Sequence, residues 1–323
     1  MEKKDLTKRL TELLTETQSS DKLSVIEDAD MSKYTSFRAG GKASALVEVE
    51  NKEQLKAVLR FADEENIPHL LIGNGSNTLF KDSGYDGLVI KLGDCFGYTG
   101  IESDGHKKAA LDQPGEKVLV SCGASMLMST VAVFMREEGI TGFEFAGGIP
   151  GSIGGAMFMN AGAYGGEMKD IVASVHAVSP DGIEEKDFTN EEMQFGYRSS
   201  ILQQNGWIAT DVTFNLTTGN KDEIAAQMKE LAAKRNAKQP VNYPSAGSTF
   251  KRPEGYFAGK LIEDAGLKGL TVGGAQVSTL HSGFVINKGG ATATDILQLI
   301  ALVQNTVYDK FGVMLEPEVR IIG

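Results

Sequence analysis

The feature that most constrains this chain is a dense run of glycines near its middle. Eight glycines fall within the twenty residues from Gly147 to Gly166, which read GGIPGSIGGAMFMNAGAYGG. Glycine loses much backbone entropy on folding and gives a core nothing to pack, so such a run is poor structural material. Its use is to let the main chain approach a ligand and present N–H groups to an anion. A flexible linker would lack apolar anchors. This run carries four: Ile149, Ile153, Met157 and Phe158. The run predicts one wall of a site for a phosphate-bearing cofactor, and a tight turn between packed strands is the alternative.

A second glycine loop, GNGSNTLF from Gly73 to Phe80, follows the apolar segment Leu70–Ile72. A strand followed by a glycine turn with Asn and Ser side chains offers donors to a pyrophosphate. The loop matches neither the G-x-G-x-x-G dinucleotide fingerprint nor the Walker sequence, so alone it is a weak signal. Together with the longer run about seventy residues later, it favours two phosphate-binding loops.

Four other segments concentrate polar side chains, and each has an ordinary structural explanation. Arg38 in YTSFRAGGKA would be solvated in a loop before a strand, and Arg198 in FGYRSS would be a surface ion-pair partner. Ser248 in YPSAGSTFKRP would lie in a common glycine turn. Glu318 in EPEVRIIG would be a solvated carboxylate on the strand face that it shares with Arg320. The residues alone leave these explanations open.

Composition narrows the function. The net charge of −11 argues against nucleic acid as a partner. Cys95 and Cys122 are too few for a disulfide framework or a cysteine-rich metal site. The four histidines lack ligand spacing, so no metal is predicted: His69, His106, His176 and His281. Without an apolar signal core or a membrane-length apolar segment, we expect a cytoplasmic protein that binds no membrane. A monomer is the expectation, and an oligomer stays open.

Hydrophobic spacing predicts alternating helices and strands in the 323 residues, which suggest two or three domains. Residues 1–30 are predicted to be a helical appendage that packs against the body. Further helices are predicted at 52–65 with Asn51 as N-cap, 125–138, 221–238 and 294–311. Strands are predicted at 69–72, 87–92, 117–121, 171–178, 208–216 and 315–322. This order indicates a small α/β unit, then a mixed unit with antiparallel strands, and a boundary near residue 216.

Taken in order, these segments resemble the UDP-N-acetylenolpyruvoylglucosamine reductase family. The resemblance covers residues 30–323 and is carried by TSFRAGGKA, GNGSN, EFAGGIPGSIGGAMFMNAGAYGGE, YRSS, AGSTF, GGAQVS and EPEVRIIG. It implies an α+β chain with an FAD-binding domain of the vanillyl-alcohol-oxidase type over residues 31–216, in two subdomains that divide at about residue 93 and clasp FAD. An α+β substrate-binding domain, residues 217–323, would then cover the flavin ring and hold the UDP-sugar.

The resemblance also implies roles for individual residues. The predicted FAD-binding residues, many of them acting through main-chain donors, are Arg38, Gly73, Asn74, Gly75, Ser76, Asn77, Gly147, Gly148, Pro150, Gly151, Ser152, Gly154 and Gly155. Neither glycine loop contains His or Cys, so the flavin would be bound non-covalently. The predicted catalytic residues are Arg198, Ser248 as proton donor, and Glu318 as carboxylate. The predicted substrate-binding residues are Tyr197, Arg252, Lys260 and Gln276.

The implied reaction reduces the enolpyruvyl group of UDP-N-acetylglucosamine-enolpyruvate to UDP-N-acetylmuramate for bacterial peptidoglycan, with NADPH as co-substrate. A guanidinium such as Arg198 suits the negative charge that develops. Glu318 is expected to be protonated when the anionic substrate is bound, because like charges repel. The short KRPEGYF connection after Phe250 fits the compact subtype of the family, and leaves open which side chain caps the substrate.

Two other functions are alternatives. An alcohol or hydroxy-acid oxidase on the same FAD scaffold would have similar flavin loops but no reason to combine Arg198, Ser248 and Glu318. A non-catalytic nucleotide-binding protein would purify colourless and take up no FAD. The acidic net charge repels an anionic UDP-sugar, so we expect local cations to attract the substrate to its site. These cations are Lys251, Arg252 and Lys260.

Overall fold

The computed structural model describes residues 3–16, 24–102 and 114–323. The helices are α1 Lys3–Glu16, α2 Lys52–Glu64, α3 Met128–Glu138, α4 Ile153–Met159, α5 Leu202–Asn205, α6 Lys221–Lys238, α7 Ala258–Asp264 and α8 Ala293–Phe311. The strands are β1 Ser24–Asp30, β2 Lys42–Val49, β3 His69–Leu71, β4 Thr78–Phe80, β5 Tyr85–Leu92, β6 Thr99–Ile101, β7 Lys117–Gly123, β8 Ile140–Thr141, β9 Gly162–Ala163, β10 Gly166–Glu167, β11 Val172–Val178, β12 Glu185–Thr189, β13 Ile208–Thr218, β14 Thr271–Val272, β15 Ala275–Val277, β16 Val285–Asn287 and β17 Arg320–Ile322. His106 lies outside the described residues.

The chain divides into two compact units, each assembled from separated stretches. Among the described residues, the first unit takes those within 3–26, 46–73 and 88–234, and the second takes 27–45, 74–87 and 235–323. The domain boundaries expected at residues 30, 93 and 216 stay predictions.

The first unit contains a six-stranded sheet in the order β12-β11-β13-β7-β6, with β8 also paired to β13. Each of these pairs is antiparallel, which confirms the antiparallel strands expected here. Along β7, Val118, Val120 and Cys122 are buried while Lys117 and Leu119 are exposed, as strand alternation requires. These inward side chains join the apolar faces of α3 and α4 in one core.

The sequence prediction for α2 is confirmed. The helix begins at Lys52, where the Asn51 side chain caps it by accepting a hydrogen bond from Gln54 N–H at 2.8 Å, and it ends at Glu64. Three leucines of α1 are buried: Leu6, Leu10 and Leu14. An ion pair of 2.6 Å joins Arg9 of α1 to Glu65, just beyond α2, so the expected packing of this helix against the body is confirmed. Strands β1-β2-β5-β3 form a four-stranded sheet in which β3 is parallel to β5.

The second unit has its own core beneath α8. The helix begins with a capping box of Thr292 and Asp295 and ends at Gly312 in the left-handed conformation. Its predicted inward face is confirmed by the buried side chains of Ile296, Ile300, Val303 and Val307. Antiparallel strands β14, β15 and β16 and the helix α7 complete this core.

Two helix predictions need correction. The third helix begins at Met128 rather than Ser125, because Leu127 forms an isolated bridge with Ser152 and stays extended. The apolar face expected along α6 is only partly buried, since Ile224 is buried while Met228 and Leu231 are half-buried.

The expected strand at residues 315–322 is also wrong in extent, because the chain changes partner within it. Residues 316–318 hydrogen bond to residues 249–251, whereas β17 begins only at Arg320 and pairs in parallel with β4. Glu318 therefore precedes the strand and does not share a strand face with Arg320.

Candidate functional site

The middle of the glycine run, residues 153–159, folds into the helix α4 rather than an open loop. Ser152 is the N-cap of α4, and its Oγ accepts a hydrogen bond from Gly155 N–H at 3.3 Å. The N–H groups of Ile153 and Gly154 donate to carbonyls of residues 124–126, each at 2.8 Å. The first-turn donors of α4 are thus largely satisfied by the protein itself.

Gly73 brings the start of the second glycine loop to this N-cap. A Cβ on Gly73 would lie 2.3 Å from Ser152 Oγ, and one on Gly154 would lie 3.1 Å from Ala124 Cβ. In the second unit, Gly75 has φ +60°, and its Cβ would lie 1.9 Å from Tyr34 O. Glycine is required at these positions because the backbone packs closely against the protein's own atoms.

Some backbone donors of the two glycine loops are unused. Within the described chain, the N–H groups of Gly148 and Gly151 donate to no protein acceptor, and the same holds for Gly75 and Ser76 in the GNGSN loop. Backbone donors without a protein partner are satisfied by water or by a ligand. Gly75 and Ser76 are successive donors of this kind, and successive backbone donors form anion-binding concavities.

The predicted FAD-binding residues differ in exposure. Gly148, Pro150 and Asn74 are exposed, and Ser152 and Gly75 are buried. The half-buried ones are Gly73, Ser76, Asn77, Gly147, Gly151, Gly154 and Gly155.

Arg38 occupies a tight turn in the second unit. Its φ is +53°, a conformation that is uncommon for a residue other than glycine. Its N–H donates to Thr35 O at 3.1 Å, and Asn287 Nδ2 fastens the turn by donating to Phe37 O at 2.9 Å. The Arg38 side chain is exposed. A strained backbone that its surroundings hold in place is typical of a ligand site.

Arg198 lies beside the glycine run in the first unit, also with a left-handed backbone, at φ +55°. Its Nη2 donates to Gly162 O at 3.3 Å, and its guanidinium carbon lies 5.2 Å from the ring centroid of Tyr197. Arg198 is half-buried and Tyr197 is exposed. The turn thus presents a cation and an aromatic ring together.

A carboxylate, Glu167, lies near Arg198. It forms an ion pair of 2.8 Å with Lys169 and accepts a hydrogen bond of 3.1 Å from Asn160 Nδ2. The hydrogen bond from Lys169 chiefly, then that from Asn160 and the positive charge of Arg198, hold the pKa of Glu167 below its usual range against the effect of burial. Glu167 is therefore ionised at neutral pH, and its negative charge attracts the positive charges of Lys169 and Arg198.

Ser248 and Glu318 lie on neighbouring segments of the second unit. Glu318 N–H donates to Thr249 O at 2.8 Å, and Lys251 N–H donates to Glu316 O at 2.8 Å. Ser248 is exposed and Glu318 is half-buried. The residue after Ser248 is thus bonded directly to Glu318.

Asn77 links the GNGSN loop to the same place. Its Nδ2 donates to Glu318 O at 3.1 Å, and its carbonyl accepts a hydrogen bond from Arg320 N–H at 3.0 Å. The second unit therefore brings together one predicted FAD-binding residue and two predicted catalytic residues, whereas Arg198 belongs to the first unit.

The predicted substrate residues are held in different ways. Gln276 is buried, and its Nε2 donates to Thr271 Oγ1 at 2.9 Å and to Gly269 O at 3.2 Å. Arg252 is exposed, and its guanidinium carbon lies 4.0 Å from the ring centroid of Phe257.

The cations expected to steer the substrate are partly neutralised. Lys251 forms an ion pair with Glu316, and Lys260 forms one with Asp264 at 2.5 Å. The Asp264 partner raises the pKa of Lys260. These pairs reduce the net positive field that the segment can offer, an effect that residue spacing did not reveal.

Metal-ligating clusters and membrane-spanning helices are both absent from the described residues. No group of three or more His, Cys, Asp and Glu residues is placed to hold a metal ion in the described parts of the chain. No helix within those parts is long and apolar enough to cross a membrane.

Asn160, the C-cap of α4, is a further residue beside Arg198 that the sequence patterns above do not single out. This residue is fully buried and left-handed, with φ +42°. Its Nδ2 also donates to Gly196 O at 2.9 Å, and its Oδ1 accepts from Lys169 N–H at 3.0 Å. An Asn after an apolar helical stretch and before Ala-Gly is a C-cap signal that could have identified it.

Comparison with family models agrees with this arrangement. Residues 43–186 match the FAD binding domain, and residues 239–322 match the C-terminal domain of UDP-N-acetylenolpyruvoylglucosamine reductase. The predicted fold class, an α+β chain with an FAD-binding domain before a second domain, is confirmed.

Individual relatives match over nearly their whole length. The chain is 52% identical to the UDP-N-acetylenolpyruvoylglucosamine reductase of Clostridioides difficile (strain 630), over 92% of each chain. It is 50% identical to that of Lachnoclostridium phytofermentans, over 91% of each. The crystal structure of UDP-N-acetylenolpyruvylglucosamine reductase from Thermus caldophilus is 33% identical, with a TM-score of 0.75, covering 94% of this chain and 99% of that one. The chain therefore belongs to the UDP-N-acetylenolpyruvoylglucosamine reductase family of FAD-dependent oxidoreductases.

Proposed function

We propose that this enzyme reduces the enolpyruvyl group of UDP-N-acetylglucosamine-enolpyruvate to give UDP-N-acetylmuramate, with NADPH as the electron donor and FAD bound non-covalently. The observation that carries the proposal is the match to reductases of that name over about nine-tenths of both chains. The product would serve bacterial peptidoglycan synthesis in the cytoplasm. Domain boundaries at residues 30, 93 and 216 belong to the same proposal.

The FAD diphosphate would be held by the two glycine loops. The unused N–H groups of Gly148 and Gly151, and those of Gly75 and Ser76, are suited to its oxygens. Gly73 and Gly154 would act differently, by allowing the close backbone packing that shapes the loops. Arg38 would add a cation on a backbone that is fixed in advance.

Arg198 would stabilise the anion that forms on the substrate. Bound FAD supplies the hydride, received from NADPH, that adds to the methylene carbon of the enolpyruvyl group. The electron pair of the double bond then moves onto the adjacent carbon and into the carboxylate. A fixed guanidinium stabilises that charge, and loss of such a donor costs on the order of 3 kcal/mol of barrier.

Ser248 would then donate its hydroxyl proton to the carbanionic carbon. A hydroxyl is a weak acid, so it must be oriented within hydrogen-bond reach to act. The hydrogen bond from Glu318 N–H to the carbonyl of Thr249, the residue after Ser248, supports a role for Ser248 and Glu318 at the same place. Glu318 would be protonated while the substrate is bound, which avoids repulsion of the substrate carboxylate.

Four residues would bind the UDP-sugar in this proposal. Tyr197 and Arg252 present exposed surfaces suited to the sugar nucleotide. Lys260 would exchange its Asp264 partner for a phosphate. Gln276 would offer its amide oxygen, because its Nε2 already donates to Thr271 and Gly269.

An anaerobic two-stage titration tests the function. NADPH should bleach the flavin of the purified holoenzyme, and UDP-N-acetylglucosamine-enolpyruvate should then restore the absorbance of oxidised flavin with formation of UDP-N-acetylmuramate. A preparation that takes up no FAD would contradict the proposal, as would reduced enzyme that the substrate does not reoxidise. Bleaching of the flavin by an alcohol or a hydroxy acid, followed by reoxidation with dioxygen, would instead indicate an oxidase.

A further inference from the structure

The turn that carries Arg198 is closed at its base. Gly196 N–H donates to Ser199 O at 3.0 Å, and Ser199 N–H donates to Gly196 O at 3.3 Å. Tyr197 and Arg198 are therefore the two residues at the tip, and the left-handed backbone of Arg198 lies there. A non-glycine residue keeps such a conformation only when its surroundings hold it.

Three side chains fasten this turn to the end of α4. Asn160 Nδ2 donates to Gly196 O at 2.9 Å, and Ser200 Oγ donates to Phe158 O at 2.9 Å. Gln203 Nε2 donates to Phe158 O at 2.7 Å.

Gln203 differs from the other two because it also bonds to Arg198 itself. Its Nε2 donates to the carbonyl of Arg198 at 3.0 Å. One amide group therefore bridges the peptide that follows the strained residue and the carbonyl of Phe158 in α4. The neighbouring Gln204 is exposed too, and its side chain makes no hydrogen bond within the described residues.

We propose that Gln203 is a positioning residue for Arg198: it fixes the peptide plane after the left-handed residue and thereby the direction of the guanidinium. The inference rests on the proposed role of Arg198 in stabilising the substrate anion. A small misplacement of a group that acts in the transition state can cost a large factor in rate. Gln203 touches no reacting atom in this account and acts only through Arg198.

The test compares Gln203→Ala with Gln204→Ala in the holoenzyme, in separate half-reactions. We expect Gln203→Ala to slow reoxidation of the NADPH-reduced enzyme by the enolpyruvyl substrate about fivefold, as expected for loss of one hydrogen bond. Flavin reduction by NADPH should stay at the parent rate, and Gln204→Ala should change neither step. Parent-like reoxidation in Gln203→Ala would overturn the proposal.

A double-mutant cycle with Arg198→Lys separates positioning from general structure. If Gln203 acts through Arg198, the Gln203→Ala change should add almost nothing in the Arg198→Lys background. Full additivity of the two effects would overturn the proposal. If Arg198→Lys alone reoxidises at the parent rate, the proposed role of Arg198 fails instead, so the two failures are distinguishable.

Hydrogen–deuterium exchange gives a readout that does not depend on activity. Gln203→Ala should raise amide exchange in residues 195–200 relative to the parent, and Gln204→Ala should not. Unchanged exchange in Gln203→Ala would contradict a positioning role.

Discussion

Glycines that look alike in the sequence have different physical reasons to be glycine. A Cβ on Gly73 would meet Ser152 Oγ at 2.3 Å, whereas one on Gly100 would meet nothing within 4 Å. Gly148 differs from both, because its N–H group donates to no acceptor among the described residues. Some positions in a glycine-rich loop therefore shape the protein, and others leave a backbone donor available to water or a ligand.

Gly73→Ala should destabilise the protein by about 2 kcal/mol, because Ser152 is buried and cannot move without disturbing the cap of α4. Urea unfolding at pH 7 measures this change. Gly100→Ala is the matched control and should stay within about 0.5 kcal/mol of the parent. Equal stability of the two variants would show that the close packing at Gly73 is unimportant.

Ser248→Ala should separate the two half-reactions. NADPH should still bleach the flavin, because the proposed role of Ser248 begins after hydride reaches the substrate. Reoxidation by the enolpyruvyl substrate should fall by at least about a hundredfold, in keeping with loss of a general acid. Stopped-flow absorbance of the flavin measures both steps. Normal rates in both would remove Ser248 from the mechanism.

At the scale of elements, α2 is fastened to the six-stranded sheet of the first unit by polar contacts. Lys52 forms an ion pair of 3.1 Å with Asp211 on β13, and Lys56 forms one of 2.8 Å with Glu185 on β12. The turn between β11 and β12 also reaches the helix, because a Cβ on Gly182 would lie 2.4 Å from Lys56 O. The contact therefore depends on both charge and shape.

Gly182→Ala should lower stability more than Gly206→Ala. Both glycines are left-handed, with φ +71° and +73°, so both substitutions carry a similar backbone cost. Only Gly182 also meets a backbone atom, whereas the nearest atom to a Cβ on Gly206 is Pro180 Cβ at 3.5 Å. We expect the difference between the variants to be about 1–2 kcal/mol in urea unfolding. A difference near zero would mean that the turn does not pack tightly on α2.

Asp211→Asn should cost about 1 kcal/mol at pH 7, with a dependence on pH. Burial raises the pKa of Asp211, but hydrogen bonds from Tyr98, Thr210 and Lys52 outweigh that effect and hold the pKa below its usual range. Stability from a depressed carboxyl pKa is present above the unfolded value, about 4, and is lost as pH falls through the folded value. The gap between parent and variant in urea unfolding should therefore narrow below about pH 4.

The control for this prediction is Asp63→Asn, an exposed position on α2. Because the side chain is exposed, its difference from the parent at pH 7 should stay within about 0.5 kcal/mol. A gap for Asp211→Asn that does not change between pH 7 and pH 3.5 would contradict the assigned cause.

The elements that the sequence predicted well are those whose signals are local. Asn51 and the spacing of Leu55, Val58 and Leu59 lie within one helix, and α2 was found within one residue. The strand β1 was not predicted, because its acidic residues fit a sheet only when the partner β2 is known. The end of the chain was misjudged for the same reason, since its change of partner is not encoded locally.

At the scale of the whole molecule, each unit gathers stretches that are far apart in sequence. The second unit combines residues 27–45 and 74–87 with residues 235–323. Ordered motifs identified the family, but no local pattern could predict that Asn77 would bond to the backbone of Glu318. The predicted site residues were therefore found by motif, and their mutual contacts were not.

Removal of FAD should lower the stability of the folded chain. A ligand that binds only the native state adds RT ln(1 + [L]/Kd), about 2.7 kcal/mol at a concentration of 100 times Kd. The midpoint of thermal unfolding should therefore rise with added FAD and fall after the flavin is stripped. FMN is the matched control, because it lacks the diphosphate that the glycine loops are proposed to bind. An equal shift with FMN would argue against these loops as the anchor.

The hydrogen bonds between residues 249–251 and 316–318 close before the connection at 252–257 begins. A change in the length of that stretch should therefore leave the hydrogen bonds that hold Thr249 against Glu318 in place. Redesign of this connection would therefore change which substrates the enzyme accepts and would leave the reacting groups in place.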